Sequence, residues 1–360
     1  MVQFFSNNIV QSKERVSDIE KEVAVLLNKN ESPFDIPSSL KQEVIKHLEQ
    51  KEWNRYPSAN NSVVIKLFST AFQIDENMIA LAPGAASMIT ALLNYFTLSN
   101  YQIVISQPSF SLYEYHCNTY NIPYDIWPLT EEFEYDNNLL PSLNEKSIVL
   151  LASPNNPIGN TLSYQQLEDL INRHPQTLFI IDEVYREFTD VNYLPLFSNS
   201  QNLILIRSLS KTLSAAGVRV GYAIAHSELI LQIRKLILPF SLNHFSACFI
   251  EAALTNTAFI KYNKDCLLLI KEEKDRVFLQ LSQFVQQNEL YHLYKSDGNF
   301  ILIRFHSSIL FREITNTLID NKVLVLDLSS SSKLKNCIRV SIGSEAENNH
   351  FLNCFKSLIV

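Results

Sequence analysis

Between residues 60 and 225 this chain alternates two kinds of segment, and that alternation limits its possible folds more than any other feature. Six short apolar runs recur there: Ile79–Leu81, Ile103–Ser106, Ile148–Ala152, Leu178–Ile181, Leu203–Ile206 and Val220–Ala225. They are too short for core helices and too apolar for loops, so they read as buried strands. Amphipathic helical stretches lie between them, and one helix start is explicit. In Ser163-Tyr-Gln-Gln166 each end residue can accept from the other's backbone N–H, a capping box. Such alternation produces an α/β layer, a mostly parallel sheet sandwiched by helices. From about residue 227 the pattern changes. Long helical stretches at 227–237, 244–258 and 263–288 precede strands at Phe300–Phe305, Val323–Leu326 and Ile338–Ile342, which reads as a smaller α+β domain. The expected organisation is a polar, helical N-terminal segment over 1–55 packing with the small domain or the interface, a large domain over 56–235, and a small C-terminal domain over 236–360. Two domains also suit 360 residues, at roughly 100–200 per domain.

Composition removes several function classes. The net charge is −7 and no Lys/Arg run exceeds two residues, so neither nucleic acid nor an anionic membrane is an expected partner. No apolar stretch approaches the ~20 residues that span a bilayer, and Met1–Val10 lacks the basic and apolar regions of a secretory signal. The five cysteines are odd in number and scattered, and the eight histidines show no ligand spacing, so neither a disulfide framework nor a metal site is expected. A cytoplasmic setting follows. Glycine is the informative scarcity: there are six in the whole chain, against about 7% in ordinary proteins. Gly84, Gly159, Gly217, Gly221, Gly298 and Gly343 are therefore a shortlist of places where the backbone must turn or approach something closely.

The polar motifs sit directly after the expected strands, at the carboxyl edge where open α/β sheets bind ligands. Pro83-Gly-Ala-Ala-Ser87 opens a helix with bare N–H groups, fit for a phosphate, although alone it is also an ordinary strand-to-helix turn. Ser153-Pro-Asn-Asn-Pro-Ile-Gly159 holds Asn155 and Asn156 in a rigid loop, which serves local hydrogen bonds or a ligand equally well. Asp182, in Asp182-Glu-Val-Tyr185, emerges from an apolar run where an unpaired carboxylate is costly. It is either a helix cap or a carboxylate expected to meet a cation. Ser208-Leu-Ser-Lys211 sets a lysine beside two hydroxyls, with Arg219 eight residues on. A lysine desolvated at that edge suits Schiff-base chemistry. Phosphate cradle, carboxylate, tyrosine, asparagine, lysine and arginine on one sheet edge form the set that pyridoxal 5′-phosphate requires: donors for its phosphate and O3′, a carboxylate for its ring nitrogen, an amine for its aldehyde.

With these motifs the sequence resembles the fold-type I pyridoxal-phosphate aminotransferases, and within them the histidinol-phosphate aminotransferase group. Leu27-Asn-Lys-Asn-Glu-Ser-Pro33, Asn54-Arg-Tyr-Pro57, Asn299-Phe300 and Ile338-Arg-Val-Ser-Ile-Gly343 extend the resemblance over nearly the whole chain. The resemblance implies that Lys211 forms the Schiff base and shuttles a proton, that Asp182 pairs with the ring nitrogen, and that Tyr185 and Asn156 hold O3′. Ser208, Ser210, Arg219 and the amides of Ala85 and Ala86 would hold the phosphate, and Phe110 would stack on the ring. Tyr56 would reach the phosphate across the interface of a homodimer with shared active sites. Arg339 matches the arginine that grips a substrate carboxylate, or the phosphate of histidinol phosphate, and Asn28 would lie near the substrate.

One departure bears on the substrate. The histidinol-phosphate group carries a phosphate-binding arginine thirteen residues before the position of Arg339, where this chain has Leu326. Losing that charge-assisted bond removes on the order of 1.5–3 kcal/mol. The expectation is therefore an aminotransferase for an amino acid with an apolar or aromatic side chain and a 2-oxo acid. Histidinol phosphate is the alternative substrate, and a lyase or cyclase resembling threonine-phosphate decarboxylase is the alternative reaction. A non-catalytic cofactor-binding protein is disfavoured by the full set of Lys211, Asp182, Tyr185 and Arg339.

Overall fold

A computed structural model describes residues 24–288 and 290–359. The first 23 residues of the expected N-terminal segment lie outside them. The alternating runs become the strands of a seven-stranded sheet: β2 (Ile79–Ala82), β3 (Gln102–Gln107), β4 (Asp125–Pro128), β5 (Ser147–Ala152), β6 (Leu178–Asp182), β7 (Leu203–Ser208) and β8 (Gly221–Ala225), in the order β2-β8-β7-β6-β5-β3-β4. The pairs β4–β3, β3–β5, β5–β6 and β6–β7 are parallel, and β8 runs antiparallel to both of its neighbours. Both faces are buried, which is why the strands read as continuous apolar runs rather than alternating ones. Val149 and Leu151 face one core, Ile148 and Leu150 the other.

Helices fill both layers. Helices α1 (Ser38–Glu49), α2 (Ser62–Phe72), α5 (Tyr164–Arg173) and α8 (His244–Thr255) send Leu40, Phe68, Leu167 and Phe249 into the first core. Helices α3 (Ala85–Leu98), α4 (Leu112–Tyr120) and α7 (Ser227–Leu236) send Leu92, Tyr113 and Ile230 into the second. The capping box at Ser163 and Gln166 is formed as expected. Lys211 rides on the one-turn helix α6 (Leu209–Thr212).

A second sheet has the order β1-β11-β12-β10-β9, from β1 (Val25–Leu27), β9 (Tyr291–Tyr294), β10 (Phe300–Phe305), β11 (Val323–Asp327) and β12 (Cys337–Ser341). Helices α9 (Thr257–Asn288), α10 (Ser308–Asp320) and α11 (Glu345–Ile359) pack on it through residues such as Val277, Ile314 and Phe355. The N-terminal segment is not only helical: β1 pairs parallel to β11, joining residues near 25 to the C-terminal sheet. Leu302 and Cys337 belong to the core of the large sheet, so the small sheet turns one face towards it. No helix among the described residues is long and apolar enough to cross a membrane.

Candidate active site

Four parallel strands end on one cavity of about 730 Å³. Gln107 of β3, Ala152 of β5, Asp182 of β6 and Ser208 of β7, each the last residue of its strand, all line it. The small sheet closes the other side with Leu326 and Arg339. Every expected site residue except Tyr56 lines this cavity. Tyr56 is 81% exposed and stacks on Phe240, with ring centroids 4.9 Å apart.

At one end, Gly84 caps α3 with φ +91°. A side chain there would be strained, and its Cβ would lie 2.6 Å from Arg219 Nη2. A Cβ on Gly221 would lie 2.2 Å from the Ala85 nitrogen, so this close approach of β8 to the helix start requires glycine. The result is an open helix N-terminus with a guanidinium over it, and Ser208 and Ser210 beside it, their hydroxyl oxygens 3.0 Å apart. Donors, a positive dipole end and a cation make an anion site.

Deeper in, Asp182 is buried, and burial raises its carboxyl to about 6. Its Oδ2 accepts from the Tyr113 hydroxyl at 2.7 Å and its Oδ1 from the Val184 amide at 3.1 Å. Among the described residues no ion pair to Asp182 forms, so none of them supplies the expected cation partner. Tyr185 accepts from Asn30 Nδ2 at 2.8 Å. Asn30 is fully buried at φ +53°, and its side-chain oxygen accepts from Ser341 at 2.8 Å. Neither Asn30 nor Tyr113 is among the residues that the sequence motifs point to. Asn30 lay within a motif there, and Tyr113 had no local signal beyond being an aromatic three residues after Phe110. Asn155 takes the structural role left open for it, donating to Pro108 O and accepting from Ser109, which fixes the loop carrying Phe110.

Lys211 Nζ donates to Lys29 O at 2.7 Å. Burial, with the Arg339 charge adding to it, lowers its ammonium to about 8. Arg339 is itself 5% exposed and donates to Asn156 Oδ1 and Asn28 O. Among the described residues it has no carboxylate partner, and its Nε is buried and unsatisfied, as is Asn28 Oδ1. A buried guanidinium without a counter-ion is costly, so this arrangement suits an incoming anion. Leu326 stands directly opposite Arg339 across the antiparallel β11–β12 pair. Ser330 and Ser331 also line the cavity, whereas Lys333 and Lys335 are not among its lining residues.

These residues fit pyridoxal phosphate on grounds internal to the structure: an anion cradle where Gly84 and Gly221 admit no Cβ, a buried carboxylate with no cation partner among the described residues, and a lysine with lowered basicity in one cavity. The comparisons agree. The family model for aminotransferase class I and II matches residues 22–355, a family whose cofactor is pyridoxal 5′-phosphate. The chain is 29% identical to a histidinol-phosphate aminotransferase of Chlorobaculum tepidum, covering 94% of this chain and 95% of that one. The histidinol-phosphate aminotransferase of Sinorhizobium meliloti, solved in complex with pyridoxal-5′-phosphate, superposes with a TM-score of 0.85 at 19% identity, over 100% of this chain and 98% of that one. The L-threonine-O-3-phosphate decarboxylase of Porphyromonas gingivalis gives 0.79 at 19% identity, over 93% and 99%. At these identities the two structures attest a shared fold.

Proposed function

The chain belongs to the class I and II aminotransferases, and we propose on that premise that it moves an amino group from a primary amine with an anionic handle to a 2-oxo acid, with histidinol phosphate as the donor. Arg339, buried and without a carboxylate partner among the described residues, carries this reading, because a guanidinium so placed selects a substrate that brings a carboxylate or a phosphate. The named relatives support histidinol phosphate. They lend no support to the narrower expectation of an apolar or aromatic amino acid.

Bound in the cavity, pyridoxal phosphate supplies an electron sink for the bonds at the amine-bearing carbon. The rest falls to the protein. The Ala85 and Ala86 amides, Ser208, Ser210 and Arg219 hold the phosphate. Asp182 accepts from the ring nitrogen, Tyr185 and Asn156 hold O3′, and Phe110 covers a ring face. Lys211, already depressed in basicity, is the amine that holds and returns the proton. Asn28 and Arg339 orient the substrate. Tyr56, exposed on its own chain, reaches the phosphate site of a second copy in a homodimer with shared active sites. A cytoplasmic setting belongs to the same proposal, with all five cysteines buried and free.

One observation favours a second substrate reading: Leu326, opposite Arg339, offers an apolar wall where a phosphate would gain from a second cation. The experiment is a comparison of kcat/KM for histidinol phosphate, histidinol and phenylalanine with 2-oxoglutarate as acceptor. Preference for histidinol phosphate by tenfold or more supports the first reading. Preference for phenylalanine replaces it with the second, and release of carbon dioxide from a phosphorylated amino acid without amino transfer would replace both with a lyase.

A further inference from the structure

Tyr113 belongs to none of the motifs that define the cavity, yet it touches two of the residues assigned to the cofactor. It lies in the first turn of α4, directly after the loop that carries Phe110, and it is wholly buried. Its amide donates to Phe110 O at 3.0 Å, and its ring meets the Phe110 ring edge-on, with centroids 5.7 Å apart and planes at 88°. Its hydroxyl donates to Asp182 Oδ2 at 2.7 Å, across 69 positions of sequence. Burial, with the Asp182 charge adding to it, holds the phenol proton well above its usual range, so Tyr113 is the donor and the carboxylate the acceptor.

We propose that Tyr113 is a positioning residue that acts through two others: its hydroxyl orients the Asp182 carboxylate and keeps it ionised for the cofactor's ring nitrogen, and its ring backs Phe110. This rests on the assignment of Asp182 to that nitrogen. The chemical reason is the acceptor's basicity. A carboxylate sharing a proton with a pyridine nitrogen leaves the proton on nitrogen only while it is the weaker base. The hydroxyl, together with the Val184 amide, stabilises the ionised form and so keeps the carboxylate weakly basic.

Tyr113→Phe preserves the ring and removes only the hydroxyl. The dissociation constant for pyridoxal phosphate, measured by quenching of protein fluorescence, is expected to rise roughly 10- to 100-fold, the loss of a hydrogen bond to a charged group. The 15N resonance of ring-labelled cofactor is expected to move towards neutral pyridine. In apo protein, the Asp182 carboxyl carbon is expected to titrate at higher pH. In an Asp182→Asn background the same substitution should change affinity by less than about threefold, because the partner it acts through is gone. An equal loss in both backgrounds, or unchanged affinity and 15N shift, would overturn the role. Should Tyr113→Phe not fold, 3-fluorotyrosine at position 113 keeps the ring and strengthens the donor. The 15N shift should then move the opposite way, and no movement would count against the role. Failure of the unaltered chain to bind the cofactor would overturn this role together with the assignment beneath it, whereas normal binding with a silent Tyr113→Phe overturns the role alone.

Discussion

Leu326→Arg tests how the cavity reads a substrate anion. Residues opposite each other on an antiparallel pair have Cβ atoms about 4.5–5.5 Å apart, so a guanidinium at 326 reaches the same anion as Arg339. With a phosphorylated substrate the new charge-assisted bond contributes about 1.5–3 kcal/mol, roughly tenfold to 150-fold in kcat/KM. Without an anion the substitution carries a cost. Two positive charges about 5 Å apart at an effective dielectric constant of about 20 repel by about 3 kcal/mol. Because Leu326 is only half-buried, solvent screening reduces that to about 1–2 kcal/mol of lost stability. Steady-state kinetics with histidinol phosphate and histidinol, and thermal unfolding with and without inorganic phosphate, read both quantities. The variant should gain at least tenfold for the phosphorylated donor alone, and phosphate should restore its unfolding midpoint. A gain below about threefold, or an equal gain for histidinol, would refute the placement of the anion between 326 and 339.

Three further outcomes follow from the site. Glu183 and Arg207 form a buried pair, Oε2 to Nε 2.8 Å, between the ends of β6 and β7; Glu183→Leu should cost about 3–5 kcal/mol in urea unfolding, and Glu183→Leu with Arg207→Met far less. A single variant within 1 kcal/mol of the parent would show that the pair does not stake these strands. Gly221→Ala must push its Cβ against the Ala85 amide, and should weaken cofactor binding at least tenfold while inorganic phosphate protection of apo protein is lost; unaltered affinity would remove the helix start from the phosphate site. Lys211 has its proton affinity lowered to about 8 in the folded chain from an ordinary 10.5. Between those values the unfolded chain binds the extra proton, so apo-protein stability should rise with pH across that window, and Lys211→Met should flatten the rise. The rate of cofactor capture by apo protein should climb through a midpoint near pH 8, and a midpoint near 10.5 would show an unperturbed lysine.

Much of this architecture was legible because burial on both faces leaves a mark on composition. Ile148–Ala152 and Leu203–Ile206 contain no polar residue, and the motifs following them fall on the cavity as expected. Strand direction left no such mark. Val220–Ala225 is as apolar as its neighbours, and its antiparallel course emerges only from pairing with β7 and β2. The edge strand β4 leaves no mark in the sequence because Asp125 and Ile126 are exposed and Pro128 ends it, giving neither alternation nor an apolar run. Likewise β1 is three residues long and gains its identity from a partner nearly 300 positions away. At the site, Lys211 and Asp182 are readable from local motifs and Arg339 through the family resemblance, whereas Tyr113 and Asn30 act through contacts 69 and 155 residues distant. Three-dimensional pairings of that kind have no signature in one sequence, even where a member such as Asn30 lies within a motif.

The most direct measurement concerns the amino group itself. Holoprotein at stoichiometric concentration is mixed with histidinol phosphate in the absence of any 2-oxo acid, and the cofactor is extracted and separated chromatographically. Conversion to pyridoxamine phosphate in one turnover, abolished by Lys211→Met and weakened at least tenfold in donor affinity by Arg339→Met, is the predicted result. Cofactor bound to the unaltered chain yet left as pyridoxal phosphate by histidinol phosphate and by every amino acid offered would contradict an aminotransferase built on Lys211 and Arg339.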